Sequence, residues 1–419
     1  MNILYISQYF PPEMGAPSAR VSELARYWAR LGHRVTVLTG FPNHPTGVIH
    51  PEYRSAFRQL VKRETMDGVS VVRTWLLPFP NRKAHERILN YLSFCLSASL
   101  AGTFLSRPDV VIATTPQLFV GLSGWWVSRV KRVPFILEVR DLWPDSITAS
   151  GMGKEDSWPI KAIRSLAGFL YRSSQNIVVV TPAFKEDLVS KWNTPPEKIS
   201  IVENGVETDL FTPDGGGAAD KRSIGLEGRF VVSYIGTLGL AHGLNTVLQA
   251  AAHLQRVLPE ITFLFVGEGA DKKRLVSLAQ EKGISNVIFL PQQPRERVPS
   301  MIRASDVCLV MLRKAEVFKT VIPTKMLEFM ACGSPVVLGV DGQARKVLEE
   351  AKGGLFVEPE DAGMLTEALV HLHRDAGLRE SLGMNGRSYI LTHLSRKQTA
   401  KDYVTVLKKV VLPSNSSTS

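Results

Sequence analysis

FKTVIPTKMLEFMACGSPVVLGVDGQ, residues 318–343, reads as one repeat of an alternating α/β fold. Thr324 is a good N-cap, Met326, Leu327, Met330 and Ala331 make an apolar face, and Gly333 followed by Pro335 is a stop signal. The stretch therefore predicts a helix over 324–332 and a buried strand over 335–340. A helix start carrying Thr324 and Lys325 offers backbone N–H groups, a positive dipole end and a cation, which suits a phosphate. One turn along, Glu328 can accept two hydrogen bonds from a vicinal diol. Together they match a nucleotide's diphosphate and ribose. The same residues also fit a surface helix with a solvated Lys325/Glu328 pair, and the stretch alone leaves both readings open.

Outward from this repeat, 419 residues at 44% hydrophobic suffice for two domains with proper cores and exclude disordered, collagen-like and disulfide scaffolds. Cys95, Cys308 and Cys332 lie in apolar runs without metal-ligand spacing, so no structural zinc and a reducing cytoplasm are expected. The start, Met1 to Tyr5, lacks a basic leader and cleavage site and predicts a first strand. The net charge of +11 is uneven: 24 Lys and Arg stand against 15 Asp and Glu up to Ser200, and 26 against 24 beyond. That bias fits an anionic membrane, a phosphorylated acceptor, nucleic acid or a merely soluble basic face. No basic tract with interleaved aromatics occurs, so nucleic acid ranks last and is not expected as a partner.

Along the chain, 2–7 predicts a strand, the helix after it buries Val21, Leu24, Ala25, Trp28 and Leu31, and 34–39 completes a βαβ unit. The loop between lacks G-x-G-x-x-G, which disfavours a dinucleotide dehydrogenase. Residues 57–62 and 69–75 predict a hairpin around Asp67-Gly68. Residues 88–105 carry no charge. A membrane span there would put strands 2–7 and 109–113 on opposite sides of a bilayer, so two readings remain. One is a buried helix; the other is a helix lying partly in the membrane interface, with Arg82, Lys83, Arg87 and Arg107 at its ends. Strand and helix patterns alternate to residue 202 and again from 230 to 373, predicting two parallel sheets covered on both faces. The glycine-rich segment 209–220 reads as the linker.

The fold class is thus α/β with two doubly wound, Rossmann-like domains. Expected boundaries are 1–205 for the first domain and 206–394 for the second, with a helix over 395–412 and a disordered tail over 413–419.

Pro323-Thr324-Lys325 and the run from Leu327 to Val337 resemble the donor-binding signature of family 4 glycosyltransferases, retaining enzymes of the GT-B fold. Further matches are His33-Arg34-Val35, Asn204-Gly205-Val206-Glu207 with Phe211, and Val266-Gly267-Glu268-Gly269, so the resemblance spans nearly the whole chain. Phe41-Pro42-Asn43-His44-Pro45 and Arg140-Asp141-Leu142-Trp143-Pro144 resemble the bacterial branch that builds capsule, O-antigen or exopolysaccharide units, including fucosamine transferases. The resemblance implies two facing domains with a cleft between them, 1–205 acceptor-binding and 206–394 nucleotide-sugar donor-binding, with the 395–412 helix packing back on the first. It further implies transfer of a sugar, such as an N-acetylated amino sugar or deoxy amino sugar, from UDP to an undecaprenyl-diphosphate-linked saccharide. The site would then be cytoplasmic, peripheral on the inner face of the membrane. A UDP-sugar 2-epimerase of the same architecture and a non-catalytic saccharide binder are the alternatives.

Ligands of doubly wound sheets bind beyond the carboxyl ends of the strands. On the donor side this selects Gly236-Thr237-Leu238-Gly239-Leu240-Ala241-His242-Gly243, whose glycines let backbone approach a phosphate. Relatives place an Arg and a Lys where Thr237 and His242 stand here, which leaves Lys325, with His242, to neutralise the diphosphate. Glu268 matches a family residue near the cleft, and Glu328 the second of two paired glutamates; the first falls on Thr320, with Glu316 four residues earlier. On the acceptor side, Asp141 follows strand 135–139, and Arg140 beside it would hold a phosphate and depress the Asp141 pKa, favouring an ionised base. A local Arg/Asp pair or turn cap explains them equally. Asn43 and His44 could bind acceptor hydroxyls or merely shape a turn, and Gly15 stands in the opening loop where relatives have a glycine pair. No Asp-x-Asp occurs, so neither a metal nor another cofactor is expected. With no obvious protein nucleophile, front-face transfer fits: the leaving diphosphate helps deprotonate the acceptor as an oxocarbenium-like centre forms.

Overall fold

A computed structural model of the chain describes residues 1–44, 46–80, 84–115, 117–149 and 156–412. Pro45, Arg82, Lys83 and the 413–419 tail lie outside the described residues. The chain divides into two compact units, Met1–Glu203 with the chain from Lys397 onward, and Asn204–Arg396. The glycine-rich segment 209–220, expected to be the linker, belongs wholly to the second unit. Its Asp220 accepts from Arg303 Nε at 2.9 Å, and Phe211 is buried in that unit's core.

The first unit is built on an eight-stranded sheet. Its strands are β1 (Asn2–Ile6), β2 (Arg34–Gly40), β3 (Val61–Met66), β4 (Val69–Thr74), β5 (Val110–Thr114), β6 (Phe135–Val139), β7 (Asn176–Val179) and β8 (Ile199–Ile201). Their order is β3-β4-β2-β1-β5-β6-β7-β8, with all pairs parallel except β3 with β4. Every residue of β5, β6 and β7 is buried, as strands covered on both faces must be. The second unit adds β9 (Phe230–Ile235), β10 (Ile261–Val266), β11 (Val287–Leu290), β12 (Val307–Met311), β13 (Val336–Gly339) and β14 (Gly354–Phe356). Ordered β11-β10-β9-β12-β13-β14 and wholly parallel, it reverses direction between β9 and β12, so its ligand crevice lies beyond the carboxyl ends of those strands.

Some boundaries differ from expectation for local reasons. Residues 57–62 are not a strand: Tyr53 and Phe57 pack edge-on against Phe41, which winds Arg54–Phe57 into a turn of helix and delays β3 to Val61. The Asp67-Gly68 turn then pairs Met66 with Val69. In the second unit, Pro323 rather than Thr324 occupies the N-cap of the Thr324–Ala331 helix. Residues 88–105 form most of a helix, Ala84–Phe104. Among the described residues no helix is long and apolar enough to cross a membrane.

The last helix, Arg396–Val411, belongs to the first unit from Lys397 on: Trp28 donates its indole N–H to Ala400 O at 3.1 Å, and Tyr403 meets the Trp28 ring edge-on at 5.1 Å. Beneath it lies a buried ion pair. Glu138 of β6 accepts from Arg20 Nε at 3.0 Å and from Tyr5 OH at 2.6 Å, while the same guanidinium donates to the carbonyls of Val202 and Glu203. Burial alone would raise the Glu138 carboxyl, but Arg20 and Arg140 outweigh it and hold the group below the usual range. Arg20→Met strands this carboxylate, so the first unit should lose about 3–5 kcal/mol, seen as a lower urea midpoint. An unchanged midpoint would remove Arg20 as a support of the fold.

Candidate active site

In the second unit, the Thr324–Ala331 helix is no surface helix: Met326, Leu327, Phe329, Met330 and Ala331 are all fully buried. Lys325 does not form a solvated pair with Glu328. Its ammonium sits 3.9 Å above the ring of Tyr234 at the end of β9, buried and, among the described residues, without a hydrogen-bond acceptor. Burial pushes it down to about 7, only partly offset by Glu328. Gly236 makes this seat possible, since a Cβ there would come within 2.7 Å of Lys325 Nζ. A Cβ on Gly267 would in turn come within 2.0 Å of the Gly236 carbonyl oxygen. The turns after β9 and β10 therefore touch backbone to backbone.

His242 lies beside this seat, its ring 5.9 Å from Tyr234 and its Nδ1 within hydrogen-bond distance of the Gly239 N–H and carbonyl. Burial, reinforced by Lys325, lowers its pKa to about 3, so the imidazole is neutral and does not share the cationic role expected of it. Thr237 is exposed and gives its carbonyl to the Tyr234 hydroxyl at 2.9 Å. Glu268 is turned outward: its carboxylate pairs with Lys272 at 2.7 Å, and only its backbone joins the turn, accepting from Leu238 N–H. Glu328 accepts from Arg295 Nη1 at 3.0 Å, and that guanidinium also lies over the Phe211 ring. Glu316 is 89% exposed and bound to Lys319, whereas Thr320 donates its hydroxyl to Val317 O. The structure thus brings Lys325, Tyr234, Gly236 and His242 together and leaves the side chains of Glu268 and Glu316 outside.

In the first unit, Arg140 Nη2 donates to Ala16 O at 3.1 Å, beside Gly15, and its N–H donates to Thr115 Oγ1 at 2.8 Å. Gly15 itself, at φ 125°, is the N-cap of the Ala16–Arg30 helix. The Asp141 pKa is raised rather than depressed, because burial outweighs Ser146, Trp143, Leu142 and finally Arg140. The expectation that Arg140 depresses the Asp141 pKa is therefore corrected.

Asn43 is tied at every polar group. Its N–H donates to Glu13 Oε1 at 2.9 Å, its Oδ1 accepts from Asn90, its Nδ2 donates to Phe41 O, and its carbonyl accepts from Gly47. It shapes the turn rather than offering itself to an acceptor. Of the two loop residues, His44 is the one presented: its ring is exposed, 5.0 Å from Tyr9, with partial desolvation lowering its pKa. Glu13, not anticipated from sequence, also accepts from His44 N–H at 2.9 Å, while its other oxygen is buried and, among the described residues, without a partner. Burial raises its carboxyl to about 7. Tyr234, Arg295 and Glu13 carried no spacing signal; the nearest cue was an aromatic residue two positions before a strand-end glycine.

The family model "Glycosyl transferase 4-like domain" matches residues 15–205, and "Glycosyl transferases group 1" matches 218–389, together most of the chain. The chain is a GT-B glycosyltransferase with a 4-like N-terminal and a group 1 C-terminal domain. Among its relatives is WcaI of Escherichia coli K12, a glycosyl transferase named for colanic acid biosynthesis, 25% identical over 96% of this chain and 98% of that one. A D-inositol 3-phosphate glycosyltransferase of Mycobacterium sp. strain KMS is 32% identical over 58% of this chain and 54% of its own length. Among solved structures, sucrose-phosphate synthase from Thermosynechococcus elongatus superposes with a TM-score of 0.78 at 19% identity, covering 98% of this chain and 99% of that one. Anabaena HepE in complex with UDP gives 0.72 at 16% identity over 98% and 100%.

A lysine whose pKa is lowered on folding makes the folded state carry the full cost of a buried charge below about pH 7. That cost fades as pH rises toward the ordinary lysine value of 10.5. Lys325→Met should therefore stabilise the ligand-free protein by on the order of a few kcal/mol at neutral and lower pH. The gain in melting temperature should shrink steadily in more alkaline buffer. A destabilised or pH-independent variant would contradict the unpartnered ammonium.

Proposed function

We propose that this glycosyltransferase moves a sugar from a UDP donor, with retention, onto a lipid-diphosphate-linked saccharide in bacterial surface polysaccharide synthesis. The sugar class we assign is an N-acetylated amino sugar or deoxy amino sugar, as in the fucosamine-transferase branch that the sequence resembles. The place is the cytoplasmic side of the cytoplasmic membrane. The observation that carries the donor half is the buried Lys325 ammonium without an acceptor, set at a glycine turn that admits close backbone approach. A diphosphate supplies the missing anion and restores the lysine's ordinary affinity for its proton. Support comes from Anabaena HepE, a structural neighbour solved with UDP and with UDP-glucose, and from WcaI, named for a surface polysaccharide.

In this reading Lys325 and backbone N–H groups of the 236–243 turn hold the leaving diphosphate, and Arg295 orients Glu328 toward the ribose hydroxyls. Charge that develops on the leaving oxygen falls on groups already in place, so catalysis is positioning plus electrostatics. The acceptor half belongs to the first unit, with His44 and Arg140 as its contacts and Asp141 shaping the turn that follows β6. No divalent metal or other cofactor enters the scheme, in keeping with the missing Asp-x-Asp.

The test is UDP binding by calorimetry. Affinity should fall as pH rises above about 7, with one proton taken up per UDP bound, because Lys325 must be recharged. Lys325→Met should abolish that uptake and weaken UDP far more than uridine. Glu328→Gln should weaken UDP and uridine alike, by on the order of 1–3 kcal/mol. Unaltered UDP affinity in Lys325→Met would end the donor assignment. On the acceptor side, Asp141→Asn should lower the melting temperature while leaving UDP affinity untouched; a large loss of turnover at unchanged stability would return Asp141 to the role of base.

A further inference from the structure

The Ala84–Phe104 helix has its polarity reversed. Asn90, Ser93, Phe94 and Ala98 face inward and are buried, whereas Ile88, Leu92, Leu96, Leu100 and Phe104 stand exposed, the last three at 72%, 64% and 77%. Successive members are four residues apart, so they form one continuous ridge of about 24 Å along the helix. On the neighbouring Leu118–Lys131 helix, Trp126 and Val130 are also exposed, and the Trp126 indole N–H donates to Thr103 Oγ1 at 3.2 Å. A contiguous apolar surface of this kind is unfavourable in water and marks a contact.

Cations surround the end of the ridge. Arg107, Arg129 and Arg132 are exposed, and Arg107 Nη2 donates to Arg132 O at 3.2 Å. Beside Phe104 opens a groove of 660 Å³ lined in part by Arg34, Arg63 and Arg107, with Glu64 as the carboxylate among them. A second copy of the chain is a poor occupant, because apposing two such faces would bring arginine clusters of one sign together. We propose that this face docks on an anionic phospholipid bilayer. The ridge and Trp126 enter the acyl boundary, and the arginines take headgroup phosphates. The excess of positive charge in the first 200 residues points the same way. The inner face of the same helix reaches the acceptor side of the unit, since Asn90 Nδ2 donates to Asn43 Oδ1 at 3.3 Å. The inference gives the proposed lipid-linked acceptor a surface to be met on, but its evidence does not depend on that acceptor.

The test uses the full chain without donor or acceptor, so its failure is separate from any failure of the transfer reading. Wild type should float with vesicles of phosphatidylcholine mixed with phosphatidylglycerol, float much less with phosphatidylcholine alone, and be released by high salt. Leu96→Glu with Leu100→Glu, both at exposed positions, should lose flotation while keeping the wild-type melting temperature. Arg107→Glu, Arg129→Glu and Arg132→Glu together should weaken binding to the anionic vesicles by on the order of 100-fold. Wild type that never floats, equal flotation of the leucine variant, or a salt-resistant dimer that the leucine variant dissolves would each overturn the proposal.

Discussion

An ammonium group held against an aromatic ring, out of water and without an acceptor, is a constraint that orders the second unit around it. Lys325 can occupy that place only because the helix bearing it is clamped by buried Met326, Leu327, Phe329 and Met330, and because Gly236 has no side chain to collide with it. Tyr234 offers the face of its ring as partial compensation. Glu328 offsets only part of the remaining cost. Packing that could have buried another leucine instead holds a cation, which fits a group selected for binding rather than for stability.

The first unit shows the opposite arrangement. Its deepest charge, Glu138, is answered on every side by Arg20 and Tyr5, and the fold gains a fixed internal frame. At the rim, Glu13 keeps one carboxylate oxygen occupied by two backbone N–H groups and the other, among the described residues, without a partner. Glu13 follows β1 and Lys325 meets the end of β9, so both stand at carboxyl ends of strands, where doubly wound sheets put their ligands.

Much of this was legible in the sequence. The alternation of apolar strands with amphipathic helices gave both parallel sheets, because period and length are local properties that tertiary packing seldom reverses. Lys325 and Gly236 were readable because a helix start and a strand-end glycine carry their own backbone logic. Tyr234 was not, since in Phe-Val-Val-Ser-Tyr-Ile an aromatic residue looks like one more core position. Arg295 lies 33 residues before Glu328, and no spacing rule joins them. His242 was misjudged for another reason: a histidine in a phosphate-like turn suggests a cation, but burial beside a lysine makes it neutral. The reversed helix 84–104 was ambiguous because its polar residues, Asn90, Ser93 and Ser97, argue equally for solvent and for an internal network. Only their partners decide.

The contact of Gly267 with the Gly236 carbonyl also bears on how such an enzyme could diverge. Where two turns meet main chain to main chain, no side chain can be introduced without pushing the turns apart, so this part of the molecule cannot be retuned by ordinary substitution. Recognition built there is common to any donor that carries the same diphosphate. On the proposed donor reading, discrimination among sugars is written elsewhere, on segments with room to vary, such as the one bearing exposed Glu316 and half-buried Thr320. A change of sugar would then need only a few replacements in a loop, with the glycine turn left untouched.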